Sequence, residues 1–553
     1  MRRTNRYTAV TAAQEIAETD DESVDSESSE EEDAIEEDQG SPSESSSDED
    51  MRATTGNLLH SEQYKSCDGF QWSEIPIRAP QGRPPACNVL HSGAGPTREV
   101  AVRALTPCES FTCFLTEEII GIIVRCTNEE GNRVFRAQWK NTSRDEILTY
   151  LGLLILAGVY RGRMEPVIHL WSNESGRPVF GKAMGRVRFQ TITRCLRFDS
   201  KDTRPERRSR DKLAPIRELH DKFAARCRAN FKPGPNVCVD EQLVVFRGRC
   251  PFRVYLPNKP GKYGIKVWVC CDVDTAYCSN FEVYTGKTGR APEVGQGERV
   301  VLQMTAHLSG SGRGCTGDNF FTSSKLSLSL LQRNMTYVGT VRKNKSFLPP
   351  VIRNPRSQQF SSRFAYSEKM TLVSYTPRKG RNAILLSSQH LGRGEVDSEN
   401  QKQKPEIISH YNQTKGAVDT LDKLVRIYSC QRKSNRWPLI LFQTFVDIAV
   451  YNAFVVFLNN FPDFENGKTQ RRRLFLERLG MDLCTPAIQS RQPLPLQPLT
   501  VQSRGVTSGP RKRSRCGRCP RDTDKKTSET CYKCHLPVCK SHSVMVCNYQ
   551  CSE

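Results

Sequence analysis

Between residues 111 and 235 apolar residues recur at three- and four-residue intervals, the period of helices with one buried face. The run Phe114-Leu115-Thr116-Glu117-Glu118-Ile119-Ile120 predicts a helix start with Thr116 as N-cap. Asp145-Glu146-Ile147-Leu148 predicts another, running on through 151–156. At Asn236 the period changes. Val237-Cys238-Val239 is a short β-type run ending at Asp240, and 265–273 and 277–284 predict further strands. Helices are expected over 298–307 and 323–332, with an extended segment at 337–341. Residues 345–404 are polar and rich in Pro and Ser, β-like only around 371–375 and 383–387. A helix follows from near Tyr411 through Leu424, and a second over 437–459, each apolar on one side. Strands alternating with helices in this order predict an α/β layer.

Length, charge and cysteines narrow the picture. At 553 residues the chain exceeds a single core, and two to four domains are expected. No stretch reads as a bilayer span: 437–458 is long enough but carries Gln443, Asp447 and Asn452, as a buried helix of a soluble protein would. The amino terminus has no apolar signal region, so secretion is not expected. The net charge of +20 hides an asymmetry. Residues 1–50 hold 18 acidic side chains against 3 arginines, a net −15, which leaves +35 on the rest (20 + 15). A body that basic, without a membrane segment, expects nucleic acid as its partner. Of 22 cysteines, 7 fall in the last 38 residues; the scattered remainder reads as free thiols of a reducing compartment.

Three acidic segments carry the candidate chemistry. Asp240 and Asp318 each follow a strand-like run, while Asp419 and Asp422 stand three apart on a helix. Carboxylates converging this way suit two hard divalent cations, Mg²⁺ or Mn²⁺. Such a pair, roughly 3.5–4 Å apart, activates a nucleophile and stabilises the leaving oxygen in phosphodiester chemistry. Arg247, Arg249, Arg253, Lys259, Lys262 and Lys266 alternate with Phe252, Tyr255 and Tyr263, a mixture suited to phosphate contact and base stacking; Arg432, Lys433 and Arg436 beside Trp437 read likewise, with a buried core position as the competing reading for Trp437. In the tail, eight potential ligands in paired spacing fit two tetrahedral Zn²⁺ sites. Interleaved, these are Cys516, Cys519, Cys539 and His542 at one site, and Cys531, Cys534, Cys547 and Cys551 at the other. The preceding Arg511-Lys512-Arg513-Ser514-Arg515 reads as a nuclear localisation signal.

The runs VDEQLVVFRGRCPFRVYLPNKPGKYGIK (239–266), GDNFFTS (317–323), VGTVRKNK (338–345), YNQTKGAVDTLDKL (411–424) and RKSNRWP (432–438) resemble, in order, the signatures of piggyBac-type DNA transposases. The resemblance spans about residues 110–553. It implies an α/β fold built on a ribonuclease-H-like catalytic core, with Asp240, Asp318 and Asp419 as the catalytic triad and Asp422 as a fourth carboxylate. The organisation it implies is a disordered acidic leader (1–55), a linker (56–110) and a helical dimerisation and DNA-binding domain in two parts (111–235 and 428–484). The core is likewise in two parts (236–344 and 405–427) around an insertion domain (345–404). A basic linker (485–515) leads to a cysteine-rich cross-brace zinc domain (516–553), whose final spacing of three residues departs from the usual two and leaves Cys551 the odd ligand. The implied activity is cut-and-paste transposition: double-stranded DNA as partner, cleavage at transposon terminal repeats, insertion at TTAA targets, a homodimer and a nuclear location. A domesticated descendant that binds DNA without mobility is the alternative.

Overall fold

The computed structural model describes residues 63–77, then 88–491 apart from 258, 287–292, 355–357, 393, 395 and 397–401, and 513–543 of the tail apart from 524 and 530–535. The acidic leader, most of the basic linker, and Cys531, Cys534, Cys547 and Cys551 lie outside the described residues. The chain divides into two compact units at 492/493, each taken by itself below.

The stretch read as a linker takes part in the fold. Strands β1 (Gln63–Lys65) and β2 (Gln71–Ser73) form a hairpin, and Trp72 is buried with its indole N–H donated to the Phe347 carbonyl at 2.9 Å. Gly95–Pro96 (β3) pairs with Phe231–Lys232 (β4) and so brackets the helical region. Within it, α1 (Glu117–Phe135) starts after Thr116 as expected, although the threonine side chain makes no capping bond. Ser143 does cap α2 (Arg144–Val159), accepting from the Glu146 N–H. Helix α2 is buried on all sides from Ile147 to Val159, and α3 (Arg217–Asn230) closes the region.

The alternation at Asn236 opens a longer strand than expected. β5 (Asn236–Val245) runs straight through Asp240, because Gln242, Leu243 and Val244 are buried too. β6 (Arg253–Tyr255), β7 (Tyr263–Asp272) and β8 (Cys278–Val283) follow, with β7 antiparallel to β5, β6 and β8. After α4 (Gln296–Met304), β9 (Gly314–Gly317) lies parallel to β5; α5 (Ser324–Gln332) then returns the chain to β10 (Thr336–Thr340), parallel to β9. The order β8-β7-β5-β9-β10 thus sets an antiparallel meander beside a parallel pair. Val237, Val239 and Trp268 pack under α4 and α5 on one face, while Cys238, Val244 and Ile265 face the main helical core on the other.

The segment read as an insertion is not set apart from this sheet. Its strands β11 (Ser362–Tyr366), β12 (Thr371–Arg378) and β13 (Arg381–Ser387) extend the sheet from the β10 edge, and β2 pairs with β11, giving eleven strands. The helix expected through 411–424 is two: α6 (Glu406–Thr414) and α7 (Ala417–Ile427), with Lys415 and Gly416 between them.

Helix α8 (Trp437–Asn460) is buried along nearly its whole length; it has the length and apolarity to cross a membrane, yet its apolar window lies wholly inside the protein. α9 (Arg471–Arg491) crosses α2 at two glycines. A Cβ on Gly152 would stand 2.8 Å from the Gly480 carbonyl oxygen, and one on Gly480 would stand 2.6 Å from Leu156 Cγ, so neither position has room for a side chain. The polar residues of α8 hold the loop that follows α7. Asp447 accepts from the Ser429 hydroxyl (2.6 Å) and the Cys430 N–H (2.8 Å), Thr444 from the Gln431 amide (2.8 Å), and Gln443 from the Arg432 N–H (3.3 Å).

Burial pushes the Asp447 carboxyl up to about 6, against the bonds from Ser429 and Cys430 that favour its charge. Folding therefore favours the protonated form, and this group's contribution to stability is lost as pH rises through about 6. Asp447→Asn, which keeps an acceptor, is expected to flatten the decline in unfolding free energy across this window. Asp447→Ala, which leaves two buried donors unpaired, is expected to cost about 1–3 kcal/mol. Denaturant titration at a series of pH values checks both.

Candidate active site

Side chains on β5 alternate, so Cys238, Asp240 and Gln242 share the face that meets α7. Val239 is in register with Gly317 on the parallel neighbour β9, which makes Asp240 and Asp318 the next residues on two adjacent chains. Parallel strands lie about 4.8 Å apart, so the two carboxylates emerge side by side. The junction between α6 and α7 is tied onto the same strands: the Cys238 thiol reaches the Lys415 carbonyl (3.0 Å), and the Thr316 hydroxyl reaches Thr414 Oγ1 (2.8 Å). Ala417, Val418, Leu421 and Leu424 bury one face of α7. Asp422 is thereby brought to the sheet, where its Oδ1 accepts from Gln242 Nε2 (2.9 Å) and its Oδ2 pairs with Arg426 (2.7 Å). Asp419, one turn earlier and more than half exposed, faces Lys259 Nζ at 3.9 Å.

The electrostatics follow from crowding. Burial pushes Asp240 up to about 8, and the charges of Asp318, Glu241 and Asp419 add to the effect. Asp318 rises to about 6, again chiefly by burial and then by Glu241, although main-chain N–H groups of Phe320 and Phe321 hold it down. Asp422 is also raised by burial despite Arg426 and Gln242. Several carboxylates in one shielded place are unfavourable unless protons or cations join them. Gln242 Oε1 adds a buried oxygen with no hydrogen-bond partner. An all-oxygen donor set with excess negative charge fits a hard divalent cation. The carboxylate oxygens are not gathered at ligand spacing, however. Among the described residues the only group of three or more acidic, His or Cys side chains with all ligand atoms within 4.8 Å is in the tail.

That tail group is Cys516, Cys519, Cys539 and His542, the first of the two quartets read from the spacing. His542 Nδ1 lies 3.4 Å from Cys539 Sγ, 3.5 Å from Cys519 Sγ and 3.9 Å from Cys516 Sγ, and Cys519 and Cys539 are 3.7 Å apart. Three thiols and one imidazole nitrogen at this spacing match a closed tetrahedral zinc centre. The Cys516 and Cys539 thiols are shifted downward, first by a main-chain N–H from Cys539 and by His542 respectively, which favours the thiolate that a metal needs.

The basic residues fall into two groups. Arg247, Arg249 and Arg253 line a cleft of about 820 Å³ with Arg208, Asn435 and Trp437, and Lys262 is exposed on the loop beyond. Lys266 is engaged by Glu241 (2.8 Å) and lies over the Trp268 ring. Arg432 and Arg436, expected to contact phosphate, are engaged within the protein. Arg432 donates to the carbonyls of Gly162 and Glu165, and Arg436 to those of Thr193, Arg194 and Leu196, so their guanidinium groups brace the helical region. Phe252 is buried edge-on against Trp437, itself only 9% exposed, which leaves Tyr255 and Tyr263 as the exposed aromatics of these runs, with Lys433 exposed in the second. Sequence reasoning missed Gln242 and Arg426. Both had a signal: Gln242 is two residues from Asp240 on the same strand face, and Arg426 is one turn beyond Asp422.

Residues 106–454 match the family model described as Transposase IS4. The chain is 26% identical over 356 residues to human "PiggyBac transposable element-derived protein 3", covering 60% of this chain and 58% of that protein. It matches the human "Chimeric ERCC6-PGBD3 protein" with the same identity over the same length, covering 32% of it. The chain therefore spans less than two thirds of either curated relative. Among solved structures it is similar to the piggyBac transposase synaptic complex with hairpin DNA, at 35% identity and a TM-score of 0.69, covering 83% of this chain and 99% of that one.

The raised Asp240 carboxyl makes a prediction with a defined sign. Without divalent ions the wild-type protein loses stability as pH rises toward 8, because the folded site resists ionisation. Asp240→Asn is expected to unfold at a higher temperature than wild type at that pH. Adding Mg²⁺ reverses the order: an ion at about 100 times its dissociation constant adds about 2.7 kcal/mol to the protein that binds it. Thermal unfolding with and without Mg²⁺ checks this, and the variant is expected to lose most of the response.

Proposed function

The chain belongs to the piggyBac-type transposase family, and from that premise we propose that it is a DNA transposase whose acidic site cuts and rejoins phosphodiester bonds. The observation that carries this reading is the pairing of β5 with β9, which sets Asp240 beside Asp318 under a helix bearing Asp419 and Asp422. The sheet order β8-β7-β5-β9-β10 supports a ribonuclease-H-like core for that site.

In this reading Asp240, Asp318, Asp419 and Asp422 hold two Mg²⁺ or Mn²⁺ ions. The chemistry such a pair supplies when bound is a water made nucleophilic near neutral pH and relief of charge on the leaving oxygen. The protein's own contribution is positional. Gln242 and Arg426 fix Asp422, and the α6–α7 junction clamps its helix to the strands that carry the other carboxylates. Arg247, Arg249 and Arg253 hold the DNA backbone in the cleft they line, with Tyr255 and Tyr263 exposed for stacking on unpaired bases. The substrate is a transposon end, opened to a 3′-OH that forms a hairpin on the flanking strand, with insertion at TTAA. Joining two ends calls for at least a dimer, in the nucleus. The Cys/His quartet, completed by a second quartet outside the described residues, builds a two-zinc tail that binds end DNA. A second reading is favoured by the name of one curated relative, a transposable element-derived protein: a domesticated protein that binds DNA without mobility. The four aspartates present here support the active enzyme.

Asp240→Ala, Asp318→Ala and Asp419→Ala are each expected to reduce excision from a reporter plasmid to background while binding to transposon-end DNA stays within about twofold, since phosphate contacts by lysine and arginine dominate affinity. Wild-type excision by any one variant removes that residue from the site. Loss of DNA binding in all three makes the carboxylates structural.

A further inference from the structure

Lys259 is the one cation on the loop between β6 and β7 that faces the acidic site. The loop is tight. Leu256 N–H donates to the Lys262 carbonyl (2.7 Å), Lys262 N–H to the Lys259 carbonyl (2.9 Å), and Lys262 itself adopts a left-handed backbone (φ 50°). Gly261 packs so closely on β5 that a Cβ there would stand 2.5 Å from Val245 Cγ2. Its neighbours are otherwise occupied or turned away: Lys266 is paired with Glu241, and Lys262 is exposed. The Lys259 ammonium, about one third exposed, lies 3.9 Å from Asp419 Oδ1, and Asp240, Glu241 and Asp422 are the other charges acting on it. The Lys259 ammonium thus stands among carboxylates that suit a divalent cation, beside the Arg426 already paired with Asp422, on a backbone braced to keep it there.

We propose that Lys259 is the resident counter-cation of this site: it holds Asp419 while no divalent ion is bound, and yields it when DNA phosphate draws the ammonium away. The inference rests on the reading of the four aspartates as a divalent-cation site. Lysine and metal ion compete for one carboxylate, so the ion binds weakly to the free protein and more tightly once DNA has engaged the lysine. Reciprocity requires the ion to strengthen DNA binding by the same factor. The coupling ties loading of the site to the presence of substrate. Lys259 is a positioning residue in this account.

The test is Mn²⁺ binding to the full chain, followed by electron paramagnetic resonance without DNA and with a duplex containing TTAA. Asp240→Asn identifies which bound Mn²⁺ belongs to the acidic site. In the absence of DNA, Lys259→Met is expected to bind that ion roughly two- to fivefold more tightly than wild type, the range of a partly exposed ion pair. Lys259→Arg, which keeps the charge, is expected to match wild type. With duplex present, wild type gains affinity and Lys259→Met does not. Equal or weaker Mn²⁺ binding by Lys259→Met, beside a wild type that binds, overturns this inference and leaves the acidic site standing. Failure of both proteins to bind Mn²⁺ at a site sensitive to Asp240→Asn overturns the inference and the metal reading together.

Discussion

The burial of neighbouring carboxylates at the β5–β9 pairing is the constraint on which the rest of the site depends. Parallel register puts Asp240 next to Asp318, and burial outweighs the positive charge the fold supplies there: Arg342 acts on Asp318, Lys259 faces Asp419 and Arg426 pairs with Asp422. A protein selected for stability alone has no reason to bury acids in this way, because each added charge raises its neighbours and removes them from water. Their persistence at one point of a well-packed sheet marks a place that expects positive charge from outside.

Much of the remaining structure keeps that place rigid. The α6–α7 break looks like a defect in a long helix, yet it lets the chain turn so that α7 lies across the sheet with Asp422 pointing at Gln242. Behind α7, the buried helix α8 uses Gln443, Thr444 and Asp447 to hold the loop that connects the two, and Arg432 and Arg436 on that loop reach back into the helical region. The glycine crossing of α2 and α9 completes the same helical body. The helical region and the sheet therefore share one core, which is why residues far apart in sequence hold the acidic site.

Local signals in the sequence were accurate where periodicity decides. The strand and helix runs of 265–341 appear within a few residues of the expected bounds, and the tail quartet of Cys516, Cys519, Cys539 and His542 assembles from spacing alone. Pairing was not legible. Whether 345–404 forms a separate insert or extends the sheet depends on hydrogen bonds between β10 and β13, which leave no mark in either strand's composition. The same holds for the β1–β2 hairpin, whose place depends on β2 pairing with β11 and on the Trp72 indole bond to Phe347. Arginines are ambiguous in their own way. Guanidinium groups serve main-chain carbonyls as readily as phosphate, so a basic run beside a tryptophan does not reveal which is meant.

The central claim is that the four aspartates form one divalent-cation site, and anomalous diffraction from crystals of the DNA-bound protein grown in Mn²⁺ tests it most directly. The account predicts strong anomalous peaks within about 2.0–2.4 Å of carboxylate oxygens of Asp240 and Asp318, with Asp419 or Asp422 completing the shell. A well-ordered complex with manganese in the crystal and no peak between Asp240 and Asp318 would contradict it.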